Sequence, residues 1–397
     1  MAQITFHDIL KNRDVRNLVI VGAIAKVPPA SLGVVITLHV VNTLGLNYTK
    51  AGIAVMVFTA GEAIAGPWRG RMLDNRGMRY TLLPSIIIEA LIWPTLALVD
   101  FHFFVPLIFI AGLFCLPIFT IMRQCLSVMV ESVKQRTAFA LDSVTTDLIW
   151  MVAPALGTII AVNASSRIAL VSFGLFSSLA GIILWVINPP TTSGKPRSEK
   201  VKVKYPSLRA KYSWLTWPLL GVLMLSFASG LVLSSTDVSI IAHLQKQDKV
   251  DQTWLVFMLW CAASATGGII YGKVRRKISP ALLVALLGFF TMFCAFSTTP
   301  LVLALLTIPA GIVCAPALTV ATEVTAANVA EERRGEAMGW QGSALTIGTS
   351  LGSPVAGIFI DSIGSWSGFF FPALIAIGVA VLGGVMLRKI RYSSFGN

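Results

Sequence analysis

Acidic residues are scarce in this 397-residue chain: 18 Asp and Glu stand against 31 Lys and Arg, and all charged residues together make up 12%. A soluble domain carries about 25%, so an ordinary water-facing surface is excluded. Cysteine is nearly as sparse. Cys115, Cys125, Cys261, Cys294 and Cys314 sit in or beside apolar runs without paired spacing, which excludes a disulfide framework and a zinc centre. No His-Glu-x-x-His occurs, and the serines are scattered without a suitable histidine. Residues 267–273 approach the spelling of a phosphate-binding loop, but Val274 stands where a magnesium-binding hydroxyl is required. Neither an enzyme nor a bound cofactor or metal is expected.

What fills the chain instead is apolar: 55% of residues, with a mean hydropathy of +0.79. A bilayer core takes about 20 apolar helical residues to cross. Runs of that length separated by polar breaks number twelve, at 18–41, 51–71, 80–99, 103–125, 138–162, 167–188, 215–241, 253–272, 279–297, 300–323, 337–360 and 367–388. The shortest breaks fall at Asp100 to His102 and at Thr298 to Pro300. The first run is too long, and too free of a small-residue cleavage site, for a secretory signal, so it reads as an uncleaved span. These runs predict an all-α membrane protein.

The cations test the count. With the N-terminus inside, 26 of the 31 Lys and Arg fall on the inner side, four fall outside, and Lys26 lies within the first span. Such asymmetry fits the positive-inside rule and places both termini in the cytoplasm of a plasma (inner) membrane protein. The net charge of +13 is thus spread over separate loops, which argues against a nucleic-acid partner. Membrane lipids and a small-molecule substrate are the expected partners, and a monomer is the expected state. Seven cations against Glu199 mark 189–214 as a cytoplasmic linker between an N-terminal bundle, 1–188, and a C-terminal bundle, 215–397. Ala153-Pro154-Ala155-Leu156-Gly157 returns two hundred residues later as Ser353-Pro354-Val355-Ala356-Gly357, and Gly66 and Gly70 are echoed by Gly268 and Gly272. Internal repeats of this kind are the mark of secondary transporters, with a site between the halves.

Gly66-Pro67-Trp68-Arg69-Gly70-Arg71-Met72-Leu73-Asp74-Asn75-Arg76-Gly77-Met78-Arg79 packs four cations and one acid between two spans. It resembles the loop joining the second and third helices of the major facilitator superfamily, with Gly70, Asp74, Gly77 and Arg79 in register and Asn75 and Met78 off pattern. The resemblance runs the length of the chain. It implies two pseudo-symmetric six-helix bundles working by alternating access, with Asp74 latching the cytoplasmic side against the start of the eleventh helix near Ala337. Arg334-Gly335-Glu336-Ala337-Met338-Gly339 and its degenerate partner Arg136-Thr137-Ala138-Phe139-Ala140 are similar to the efflux-permease (drug:proton antiporter-like) branch. The cytoplasmic gate is therefore expected at Gly66, Gly70, Asp74, Arg76, Gly77, Arg79, Arg136 and Arg334. Pro154 with Gly157 resembles an antiporter signature, with Ala153 replacing a glycine, and Pro354 with Gly357 repeats it as a helix-bend motif.

Ionisable groups inside spans are costly and mark cavities. In the N-half they are Lys26, Glu62, Glu89, Asp142 and Asp147, with Arg123 at the inner end of the fourth span. Glu62 lies one turn from Gly66, and Asp147 lies seven residues before Pro154, so both are expected to face the cavity between halves beside Lys26 and to carry protons. Glu89 is expected to be peripheral. A static ion pair is the competing reading for these groups. His39 and Asp237, near the outer ends of the first span of each half, could pair as an outer gate. Trp150, Met151, Phe227, Trp260 and Trp340 are expected along the pathway. The fourth span lacks the mid-membrane arginine common in proton-driven drug antiporters. The expectation is proton-coupled export of small amphiphilic or sugar-like compounds; the alternatives are a proton-coupled importer of a polar metabolite and a lipid flippase.

Overall fold

The computed structural model describes residues 5–46, 48–192, 215–249, 252–274 and 278–387. Most of the expected linker, 193–214, and the basic C-terminal tail lie outside the described residues. The N-half contains α1 (Phe6–Leu10), α2 (Arg13–Ala25), α3 (Val27–Leu38), α4 (Tyr48–Arg76), α5 (Met78–Leu96), α6 (Phe101–Phe114), α7 (Ile118–Met129), α8 (Gln135–Asn163) and α9 (Ser166–Ile187). The C-half contains α10 (Trp217–Gln245), α11 (Thr253–Lys273), α12 (Pro280–Phe293), α13 (Pro300–Asn328), α14 (Arg334–Ile363) and α15 (Ser367–Leu387). Among the described residues there is no strand. Ten crossings are long and apolar enough to span a bilayer, Pro280–Phe296 is a shorter apolar helix, and α5 completes twelve.

The two shortest breaks in the hydropathy pattern are helix caps. Asp100 accepts from the backbone N–H groups of His102 and Phe103 at 3.1 and 3.3 Å, which starts α6 four residues after α5 ends. Thr299 accepts from Val302 N–H at 3.3 Å, with Pro300 at the first helical position, where its missing donor costs nothing.

Two crossings that read as continuous are broken. The first is interrupted at Lys26, between α2 and α3, because Pro28 and Pro29 supply no N–H to the preceding turn. It then ends in a π turn, His39–Thr43. The fourth crossing is interrupted at Cys115-Leu116-Pro117, between α6 and α7. Breaks of this kind survive in a bilayer only where the freed backbone groups find partners inside the protein.

Each half has its own apolar core. Leu32, Ile36, Trp93, Phe104 and Ile108 sit in one N-half cluster, and Val222, Leu225, Val284, Leu287 and Ala317 in a C-half cluster. A further cluster joins the halves at one end, where Ala326 and Met338 of the C-half pack with Leu73, Ile121 and Phe139. That end carries the basic loops and is called the basic end below. There α1, whose Thr5 and Asp8 form a reciprocal capping box, buries Ile9 in the joining cluster and brings the Phe6 ring against Gly272 of the C-half.

Candidate functional site

The halves meet along two seams, each built where the sequence supplies small residues and short polar side chains. In the first seam α4 crosses α14. A Cβ on Gly70 would collide with the backbone of Gly335 and Glu336, and one on Gly339 with the backbone of Gly66 and Pro67, so only glycine permits this approach. Replacing Gly70 by valine is expected to force the helices apart and disfavour this packing at least about tenfold, a wedge of about 1.4 kcal/mol. A Gly70→Val variant that crosslinks between cysteines placed across this seam as fast as the parent would contradict the crossing.

At the basic end of this seam Asp74, 1% exposed, accepts from the N–H groups of Gly335 and Glu336 at 2.9 and 2.8 Å and from Gln124 Nε2 at 2.8 Å. The carboxylate thus sits on the first turn of α14, where the unpaired donors and the helix dipole favour an anion. Arg71 and Arg333 both bond Glu336, and Arg334 donates to Ser127 Oγ at 3.4 Å. Arg76 is exposed and does not join this latch. Arg79 turns back within the N-half, donating to the Trp185 carbonyl at 3.2 Å with its guanidinium over the Trp185 ring. Gly77 has a φ of 81°, which lets the chain leave α4 and enter α5 at once. Sequence reasoning missed two cations of the latch, Arg333 and, on the opposite half, Arg71. The signal for Arg71 was its position one residue after Gly70, on the turn that meets α14. Farther along the seam Ser343 donates to the Ala63 carbonyl at 2.6 Å and Ser350 to Thr59 at 3.1 Å.

In the second seam α8 meets α11 and α13. Arg136 donates to Glu323 at 2.8 Å and to the Val274 carbonyl at 2.6 Å, while Tyr271 donates to the other Glu323 oxygen at 3.0 Å. Thr137 donates to the Gly272 carbonyl at 2.8 Å, Ser143 bonds Thr319 at 2.9 Å, and Gly268 lies against Ala140 and Val144. The last rung is Ser264 of the C-half donating to Asp147 at 2.6 Å. The side-chain hydrogen bonds between the halves named here lie at or on the basic side of Asp147–Ser264 and Thr59–Ser350. Beyond Asp147, Trp150 and Met151 are exposed.

One turn below that rung Lys26, wholly buried at the break in the first crossing, donates to Asp142 Oδ1 at 2.5 Å and Thr146 Oγ1 at 2.8 Å. The helix breaks there because of Pro28 and Pro29, and the lysine fills the gap beside α8. Arg123 stands within electrostatic reach of Asp142, and Asp147 within reach of Lys26. Lys26 therefore bonds Asp142 and Thr146 directly, and neither Glu62 nor Asp147.

Glu62, one turn from Gly66 on α4, lies beside Cys115 at the break in the fourth crossing. Glu89 is 1% exposed and accepts from Leu116 N–H at 2.8 Å, so it is a cap for the broken helix and not peripheral. His39 and Asp237 are not brought together. The π turn swings His39 into the N-half, fully buried and stacked on Phe104 with ring centroids 5.5 Å apart, while Asp237 stays exposed on α10. Trp260 packs in the C-half core and Phe227 against it, and Trp340 is half-buried.

The two bend motifs differ in what they touch. Gly157 faces Ser31 and Val35 of α3, and Ser31 donates to the Ala153 carbonyl at 2.7 Å beside Pro154. Around Gly357 there is open space, and Pro354 is exposed; in the C-half the close approach of α10 and α14 falls earlier, at Gly348 and Gly352. Among the described residues no cluster of His, Cys, Asp and Glu could hold a metal ion.

Twelve crossings in two halves, sealed to each other at one end by glycine crossings and ion pairs, define a multi-pass membrane transporter scaffold. The chain belongs to the Major Facilitator Superfamily, whose profile matches residues 18–297 and 280–394. Among solved structures it is similar to the human organic anion transporter MFSD10 (TETRAN), with a TM-score of 0.75 at 16% identity over 94% of this chain and 99% of that one. It is also similar to FucP, a Major Facilitator Superfamily transporter in the outward conformation, with a TM-score of 0.65 at 13% identity over 92% of this chain and 98% of that one. No curated protein matches the sequence significantly.

Proposed function

We propose that this transporter exports small amphiphilic or sugar-like compounds in exchange for protons across a plasma (inner) membrane, as a monomer with both termini cytoplasmic. The basic end is then the cytoplasmic end, and the arrangement described is the state closed to the cytoplasm. The observation that carries the reading is the last rung of the second seam. Asp147 holds Ser264 of the opposite half at 2.6 Å, one turn from the Lys26–Asp142 pair. An ionised Asp147 accepts this bond strongly; a protonated one accepts it weakly and brings no charge into the seam. Proton uptake there changes what holds the halves together, which is the requirement for coupling.

The human neighbour is an organic anion transporter. Asp147, half-buried at the seam, and Asp237, exposed on α10, favour a neutral or cationic cargo here instead. Proton flux in proteoliposomes, measured while a compound panel is screened, tests the assignment. Asp147→Asn is expected to lower proton-driven accumulation at least about tenfold while leaving exchange of cargo down its own gradient, since the barrier to rocking is not raised. Unchanged coupling in Asp147→Asn and in Glu62→Gln would remove these carboxylates from the mechanism. Transport indifferent to both proton and sodium gradients would make the protein a facilitator.

A further inference from the structure

The break in the fourth crossing is lined by a set of charges that the seam does not use. Arg69 of α4 is 3% exposed and donates to the Thr81 carbonyl at 2.7 Å and to the Leu113 carbonyl at 3.4 Å. The Leu113 carbonyl belongs to the end of α6. Within the break Glu89 of α5 accepts from Leu116 N–H, just ahead of α7. The guanidinium and the carboxylate thus take up the backbone groups that the interruption frees on its two sides. Glu89 and the Cys115 thiol lie within electrostatic reach of both Arg69 and Glu62. Ser177 of α9 closes the remaining side of Glu89. No other charged group faces Glu89 from these elements.

Charge counting makes this more than a cap. Glu89 stands between one guanidinium, Arg69, and a second carboxylate, Glu62, so the set carries one negative charge more than it balances, and an unbalanced charge in a bilayer interior is costly enough to be removed by protonation. Room for a proton exists. Glu89 Oε2 and Arg69 Nε have no hydrogen-bond partner among the described residues, and neither has Ser85 Oγ, one turn away on the same face of α5. Glu62 is half-buried and offers a way in from less enclosed surroundings.

We propose that Glu89 and Glu62 form a second proton-binding site, shared with Arg69, whose occupancy sets the hold on the cytoplasmic latch through α7. The path is short. Ionised Glu89 holds the Leu116 N–H, two residues before α7 begins, by a charge-assisted bond that anchors the chain entering that helix. Two turns on, Gln124 of the same helix donates to Asp74. Asp74 in turn holds the N–H groups of Gly335 and Glu336. A proton arriving on the Glu89 carboxylate makes it a neutral acid, weakens the bond to Leu116 N–H, and frees α7 to shift Gln124 away from Asp74. Proton uptake at this site therefore loosens the closed end. The link to export rests on the proton-coupled reading above, but the site and its effect on the latch do not.

Backbone hydrogen exchange at Gly335 and Glu336, followed from pH 8 to pH 5 in nanodiscs, reads the latch without any cargo. Asp74 and Glu336 are themselves carboxylates of the latch, so the comparison between variants carries the result. Wild type is expected to lose protection on acidification at least about tenfold more than Glu89→Gln, which keeps an acceptor for Leu116 N–H but takes up no proton. Glu62→Gln, at a half-exposed position, is expected to fold and to move the wild-type response to lower pH, because one carboxylate then balances one guanidinium. A Glu89→Gln curve that overlays wild type, or a Glu62→Gln midpoint that stays in place, overturns the proposal. Loss of proton-driven transport with both exchange results intact would count against the exporter reading alone.

Discussion

Replacing Asp74 by alanine will unlatch the closed end and shift the protein away from the state described here by about a hundredfold. Three hydrogen bonds to the carboxylate disappear together, two of them from the first turn of α14. Bonds to a charged acceptor are worth about 1.5–3 kcal/mol each. The N–H groups regain water when the halves part, so the net loss is about 3 kcal/mol, or about a hundredfold in population. A cysteine placed at Thr319, which is 1% exposed beside Ser143, reports the change in a background without the five native cysteines. Its labelling from the basic side is expected to accelerate by about that factor in Asp74→Ala. Asp74→Asn, which keeps one acceptor oxygen and turns an NH2 toward a donor, should fall between. Labelling changed by less than about threefold in Asp74→Ala would mean that the glycine crossings alone hold the seam.

The second large effect is on stability. Lys26→Ala removes the direct cation from Asp142, which is buried together with it, the two side chains being 0% and 5% exposed. Breaking a buried pair by deleting one partner costs about 3–5 kcal/mol, because the remaining charge stays behind without compensation. Arg123 is near enough to Asp142 to offset part of this, so the lower end, about 3 kcal/mol, is expected. The double variant Lys26→Met with Asp142→Asn should recover most of the loss, as the volume of the lysine is refilled and no charge is left. Thermal inactivation half-lives in detergent separate the outcomes. If the single and double variants inactivate alike, the pair is not what holds α3 to α8.

The crossings and the latch were legible because each is written in local sequence. A run of apolar residues announces a crossing whatever it packs against, and Gly70, Asp74 and Gly77 carry their spacing with them. Partner choice inside the membrane was not legible in the same way. Asp142 and Asp147 differ by about 140° in direction around α8, and nothing in the linear pattern says which of them turns to Lys26. The pattern Asp142 and Thr146, four apart on one face, was the available hint. The interruptions at Lys26 and at Cys115–Pro117 were hidden for another reason: the apolar run continues through both, although Pro28, Pro29 and Pro117 deny the backbone its donors. Glu89 looked peripheral because position along a span says nothing of rotation, and only the tertiary contact with Leu116 reveals it as a cap.

The first seam is also a lever. From the Thr59–Ser350 rung to Asp74 is fifteen residues of one helix, an arm of about 22 Å. A hydrogen bond at 2.8–2.9 Å is lost once it stretches by roughly 0.7 Å. Turning about the far rung, the halves reach that stretch at the latch after only about 2° of rotation, while Ser343, closer to the pivot, has moved by a few tenths of an ångström. The strongest bonds in the seam are therefore the first to break. Once they are gone, the rest of the swing meets along this seam only the neutral serine bonds at Ala63 and Thr59, so the first seam's resistance to opening is concentrated at its very start.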